Sequence, residues 1–228
     1  MINFNLNKEP KGVTIIEGFP GFGLVSTIAI EFLLEHLKAE NIGEFLYDEL
    51  SPMLAIHKGK LVKPMGIFYV KKYNLVILHT TLDVKGYEWE VSECIKKLAA
   101  KLKAKEIISL EGVQAVGDKP EAYTFNNHEL QKAGAKPLQE SVIVGVSAAL
   151  MLDNKKVSPL FAGAKSHLPD AEAAAKLIEV LDKYLGLEVD FEPLVQQAHE
   201  FEDKLKSIMK QSKDAEEEAD RKRLNYLG

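Results

Sequence analysis

The chain has a single cysteine and a single tryptophan in 228 residues, and aromatic side chains make up only 8% of it. A lone Cys94 rules out an intrachain disulfide framework and suits a reducing cytoplasm. It falls on an amphipathic helix pattern, where a small buried side chain is expected rather than a nucleophile. There is no excess of basic residues. The formal net charge of −5 speaks against a nucleic-acid partner, and the aromatics are not interleaved with lysine or arginine as a single-strand platform requires. Charges or glycines interrupt every apolar run before it reaches the length of a membrane span. The opening Met1-Ile2-Asn3-Phe4-Asn5-Leu6-Asn7 lacks the basic and apolar regions of a signal peptide, so a cytoplasmic protein with no membrane contact is expected. The histidines His36, His57, His79, His128, His167 and His199 are scattered, with no His-x-x-x-His pair. No metal site is expected. His79, ending an apolar run, is expected in a hydrogen-bonded core role, and Glu216-Glu217-Glu218 reads as a solvated helix face.

Hydrophobic residues at 46% and charged residues at 28% are ordinary for a globular protein, and the length suffices for one large domain with an appendage. The most telling segment is Gly18-Phe19-Pro20-Gly21-Phe22-Gly23-Leu24-Val25. The β-branched run Val13-Thr14-Ile15-Ile16 precedes it and reads as a buried strand. Residues 25–38 follow, with apolar positions at helical spacing. Strand, glycine turn and helix open an α/β unit. The turn is G-x-x-G-x-G, whereas a dinucleotide fold needs G-x-G-x-x-G and a P-loop needs Lys-Ser/Thr after its last glycine. Leu24-Val25 stands there instead. Gly18, Pro20, Gly21 and Gly23 therefore read as a structural turn that supplies positive φ and close backbone approach. A phosphate- or nucleotide-binding enzyme using this loop is the alternative, since a helix N-terminus attracts anions.

Further strands are expected over 43–47, 53–56, 66–70 and 75–79, the last ones forming an antiparallel meander. A helix over 86–103 is expected to turn Trp89, Ile95, Leu98 and Leu102 inward. A strand over 107–110 is closed by Glu111-Gly112. Residues 114–136 are polar and irregular, with Tyr123-Thr124-Phe125-Asn126-Asn127 either lining a surface or forming a strand edge. The run 141–146 returns to the core before a short helix, 159–164 is a last strand, and a helix follows Pro169 until Gly186 ends it. Mixed strands and helices point to an α/β three-layer sandwich with a mixed sheet over residues 1–190. Residues 191–228 form a helical arm and tail. In the arm Leu194, Ala198, Phe201, Leu205 and Ile208 recur at heptad spacing, as a seam either for self-association or for packing on the chain's own domain. Gly145-Val146-Ser147-Ala148-Ala149 is a near miss to the nucleophile elbow G-x-S-x-G, with Asp153 and His167, or Asp170 and His199, following in hydrolase order. The second glycine and an H-G-G-G oxyanion loop are missing, so no catalytic residue is assigned.

The segment 18–25 closely resembles the signature of the proteasome-assembly-chaperone family in its archaeal form. A second block matches as well, Pro169-Asp170-Ala171-Glu172-Ala173-Ala174-Ala175 continuing through Leu177-Ile178-Glu179-Val180-Leu181 to Leu185-Gly186-Leu187-Glu188-Val189-Asp190. Their order and separation fit that family across residues 10–210. The resemblance implies a core similar to the purine nucleoside phosphorylase type. It also implies a non-catalytic, ATP-independent chaperone without cofactors, a homo-oligomer that binds proteasome α subunits or the α ring. In that family C-terminal tails enter pockets of the core particle's outer ring through a hydrophobic residue, tyrosine, any residue, chain-end motif. Leu224, Tyr226, Leu227 and Gly228 are the corresponding residues here. They depart from the motif in that Asn225 precedes Tyr226 and two residues follow it.

Overall fold

The computed structural model describes residues 2–47, 55–57, 60–62, 64–117, 119–153, 156–191, 193–194, 207 and 210. The chain opens with strands β1 (Asn3–Leu6) and β2 (Thr14–Glu17), then passes through the glycine turn and one 3-10 turn (Phe22–Leu24) into α1 (Val25–His36). There follow β3 (Glu40–Leu46), β4 (Ala55–His57), β5 (Lys60–Val62), β6 (Met65–Val70) and β7 (Leu75–Thr80). Next come α2 (Glu88–Leu102), β8 (Glu106–Gln114), β9 (Ala122–Thr124), α3 (His128–Lys132) and β10 (Lys136–Pro137). The last elements are α4 (Gly145–Asp153), β11 (Val157–Ala164) and α5 (Ala171–Leu185).

Nine of these strands form one mixed sheet in the order β1-β3-β6-β7-β2-β8-β11-β9-β10. Its centre, β7-β2-β8-β11, is parallel, and antiparallel strands flank it on both sides. Period-2 side-chain alternation splits the apolar residues into two cores. Ile16, Ile108, Leu110 and Leu160 face α1 and α5. Ile15, Val76, Leu78 and Ile107 face α2 and α4. The result is the expected three-layer sandwich with helices on both faces of a largely parallel sheet. After β2 the chain places β7 on one side and β8 on the other, so the winding direction reverses at β2.

The differences from the sequence expectations have local causes. Residues 55–57 pair with 60–62 in a separate two-stranded hairpin rather than in the main sheet; the remainder of the expected strand over 53–56 lies outside the described residues. Trp89 is 55% exposed, because it sits roughly 150° away from the centre of the buried α2 stripe of Val91, Ile95, Leu98 and Leu102 at about 100° per residue. Strand β8 does not close at Glu111-Gly112 but runs through both to Gln114. Residues 141–144 are not a strand; Val142 is 86% and Val144 68% exposed. Helix α5 starts and stops as read. Asp170 is its N-cap and accepts from the Ala173 N–H at 3.0 Å, and Gly186 follows at φ +64°, the left-handed position that favours glycine.

Candidate functional site

The site grows from the carboxyl end of β2. Beyond Glu17 the backbone turns through residues 18–21 and enters α1 with Gly23 at φ +64° and Leu24 at φ +48°. The four predicted turn residues have distinct surroundings. A Cβ on Gly18 would stand 2.9 Å from Ile30 Cγ1, and one on Gly21 would stand 2.0 Å from Glu111 Oε1. On Gly23 it would stand 2.6 Å from the Ala164 Cβ. Pro20 lies in the bend and lines the cleft described below. The turn is tied down from two directions: Ser26 Oγ donates to the Phe19 carbonyl at 2.6 Å, and the Asp170 N–H donates to the Gly23 carbonyl at 3.0 Å. The second bond brings together the two sequence blocks that carried the resemblance, although some 150 residues separate them.

Beside the turn, β8 supplies two features that sequence reading missed. Gly112 lets the Phe22 carbonyl approach; a Cβ there would lie 1.9 Å from that oxygen. Glu111, 8% exposed, brings its carboxyl beneath Gly21 and accepts from the Gly112 N–H at 3.0 Å. Glu17, fully buried, lies on the same face of the sheet. A chain of contacts links the two acids through serines: Glu17 Oε1 to Ser109 Oγ, Ser109 Oγ to Ser147 Oγ at 2.8 Å, and Ser147 Oγ to Glu111 Oε2 at 3.4 Å. Burial pushes the Glu17 carboxyl up to about 7. Burial, followed by the neighbouring charge of Glu17, pushes Glu111 up to about 8. Desolvation disfavours a charged carboxylate, and a like charge does so again. The only sequence signal for the pair was two glutamates set in strand-like runs, which reads as a strand boundary.

Above Glu111 opens a cleft of about 540 Å³, walled by the turn (Pro20, Gly21, Phe22), the end of β8 and residues 140–145. It sits at the carboxyl ends of parallel strands next to the point where the winding reverses, the usual crevice of open α/β sheets.

The other candidates fall elsewhere. Ser147 pairs with Ser109 and Glu111, not with a histidine. His167 is exposed and meets the Phe22 ring edge at 4.4 Å, Asp170 caps α5, Asp153 ends α4, and His199 lies outside the described residues. No hydrolase triad is assembled among the described residues. The Cys94 thiol is buried in α2, where burial pushes it up to about 11. That is the opposite of an activated nucleophile. His79 is buried, with Nε2 2.8 Å from Glu31 Oε1. No group of three metal-binding side chains occurs among the described residues. No described helix is long and apolar enough to cross a membrane. Of the arm seam, Leu194 is buried in the core beside α5. Ala198, Phe201, Leu205 and Ile208 lie outside the described residues, as do the tail residues Leu224, Tyr226, Leu227 and Gly228.

Fold and site together define a three-layer α/β protein with a buried carboxyl pair beneath a crevice at the carboxyl ends of its central strands, and no hydrolase triad among the described residues. The PAC2 family profile matches residues 15–209; the chain belongs to the PAC2 family. The crystal structure of Pyrococcus furiosus PbaA, an archaeal homologue of proteasome-assembly chaperone, superposes with a TM-score of 0.85 at 30% identity, covering 95% of this chain and all of that one. Pyrococcus furiosus PbaB, an archaeal proteasome activator, shares the fold with a TM-score of 0.74 at 22% identity over 91% of this chain and 98% of its own. The uncharacterized protein MJ0106 of Methanocaldococcus jannaschii is 29% identical over 86% of this chain and 85% of its own length.

Proposed function

We propose that the chain is a non-catalytic, ATP-independent chaperone that binds proteasome α subunits and assists core-particle assembly, working in the cytoplasm as a homo-oligomer without a cofactor. The observation that carries this reading is the end-to-end likeness to PbaA at 30% identity. Its division into an α/β domain over 1–190 and an arm and tail over 191–228 follows the change of sequence character at Asp190. Leu194 anchors the start of the arm in the core; the rest of the seam, Ala198, Phe201, Leu205 and Ile208, serves self-association, and the Tyr226 tail serves ring contact. Several arms on one oligomer raise avidity for a ring of repeated pockets even where each contact is weak.

The alternative, a phosphate- or nucleotide-using enzyme built on residues 18–23, is the weaker reading. The Glu111 carboxyl already occupies the space under Gly21, and Glu17 lies behind it, so an anion there meets acidic groups rather than a lysine. Size-exclusion chromatography with light scattering separates the readings. The 25.4 kDa chain is expected to run as a multiple of that mass and to co-elute with a proteasome α ring. Failure to form that complex, together with a raised melting temperature in phosphate or nucleotide, overturns the chaperone reading.

A further inference from the structure

The contacts around the carboxyl pair impose a proton count. Three oxygen–oxygen contacts run from Glu17 through Ser109 and Ser147 to Glu111, the last a long one at 3.4 Å, and each takes one hydrogen when all three are hydrogen bonds. The two serines supply one apiece. The carboxyls must supply the third, so the fully hydrogen-bonded arrangement holds one shared proton and one negative charge. The proton can reside at either end, because reversing both hydroxyls carries the donor role from one carboxyl to the other. With the proton on Glu17, the charge stands on Glu111, at the cleft.

No cationic partner for that charge comes from the wall. The described residues lining the cleft include two carboxylates, Glu111 and the exposed Glu140, and no lysine, arginine or histidine. Behind them Glu17 Oε2 is buried without a hydrogen-bond partner. The Gly112 and Phe22 backbone N–H groups and the Ser147 hydroxyl favour the charged form of Glu111, but burial and Glu17 outweigh them. His167 packs against the Phe22 ring and does not line the cleft. The rim is apolar, with Val116, Val142 and Val144 exposed around the opening. A bare metal ion has no use for such a rim, and no three-ligand group is present among the described residues. An alkyl stem ending in a cation matches both parts: its methylenes cover the valines, and its head meets the carboxylate.

We propose that this cleft binds an organic cation, an alkylammonium or guanidinium group carried on an apolar stem. The source is either a free amine or a basic side chain of a partner. Binding draws the shared proton to Glu17 and leaves Glu111 ionised against the cation. This is independent of the proteasome reading, which concerns the arm and tail.

Isothermal titration calorimetry tests it with agmatine, and with a capped Gly-Arg-Gly peptide beside its citrulline counterpart. Agmatine or the arginine peptide is expected to bind at pH 8 and at least tenfold more weakly at pH 5, where the pair carries both protons. The citrulline peptide is expected not to bind. A tighter arginine peptide assigns the cation to a partner side chain; a tighter agmatine assigns it to a free amine. Glu111→Gln is expected to lower affinity at least tenfold. Glu17→Gln, which mimics the protonated end, is expected to keep affinity and extend it toward pH 5. Glu140→Gln, at an exposed position, is expected to fold unchanged and weaken binding by severalfold. Absence of binding by both cations to the wild type at pH 8 overturns the proposal, as does undiminished affinity in a folded Glu111→Gln.

Discussion

At the scale of single residues, the informative positions are those whose chemistry is out of place. Glu17 and Glu111 are acids in a largely apolar core, and among the described residues no cation pairs with them. Their carboxyls stand at about 7 and about 8 in the folded chain against about 4.3 for an unfolded glutamate. The folded state therefore holds protons more tightly than the unfolded one. The stability this confers is complete below the unfolded value and is lost as pH rises through the interval up to 7–8, after which the curve is flat. Glu17→Gln keeps the shape of the protonated side chain and cannot ionise. It is expected to match the wild type near pH 4 and to exceed it above pH 8 by a few kcal/mol. Urea unfolding at pH 4, 6 and 9 measures this; parallel wild-type and variant curves across that range would show that the Glu17 carboxyl titrates alike in the folded and unfolded chain.

At the scale of elements, the β2–α1 turn and β8 form one packed unit. Gly21 is tolerated only because it lacks a side chain where Glu111 lies, with a Cβ placed 2.0 Å from Oε1 and 2.8 Å from the carboxyl carbon. Gly21→Ala is expected to lower stability by roughly 1–3 kcal/mol, the usual cost of overpacking a filled interior. Adding Glu111→Ala vacates that space, so the double variant is expected to be less destabilised than the sum of the singles. Strict additivity in chemical denaturation would place the strain in the backbone instead. Element by element, legibility tracked how far local pattern agreed with burial. Strand β2, helix α1 and α5 with its Asp170 cap and Gly186 stop stood out because apolar spacing, caps and turn chemistry coincide there. The run 141–146 misled over its first part, because valines and isoleucine without polar alternation look buried, whereas Val142, Ile143 and Val144 line a cleft and Val146 alone enters the core. Strand β8 looked shorter than it is because Glu111 and Gly112 resemble a strand end. Only tertiary contact, an acid tucked under one turn and a carbonyl against the other glycine, shows why they sit within it. That same contact builds the candidate site, so the site's acids were invisible to pattern.

At the scale of the whole molecule, the two blocks that carried the family resemblance meet through the Asp170–Gly23 hydrogen bond and the packing of α1 against α5. What makes the sequence recognisable is therefore the joint that holds one helical layer to the central strands. The cleft lies at the carboxyl ends of the central strands, whereas the proposed ring contact belongs to the arm and tail, so the two are separable by mutation. Deleting residues 224–228 is expected to weaken α-ring binding while leaving the melting temperature and oligomer mass unchanged, because terminal residues after a charged stretch contribute little to a core. Tyr226→Ala is expected to reproduce much of the loss, since one aromatic anchor in a pocket commonly dominates the affinity of a short peptide. Glu111→Gln is expected to leave ring binding intact. Surface plasmon resonance against an immobilised α ring reads all three. Undiminished binding by the deletion variant would remove the tail from the mechanism and transfer the contact to the folded domain or to the seam around Phe201 and Leu205.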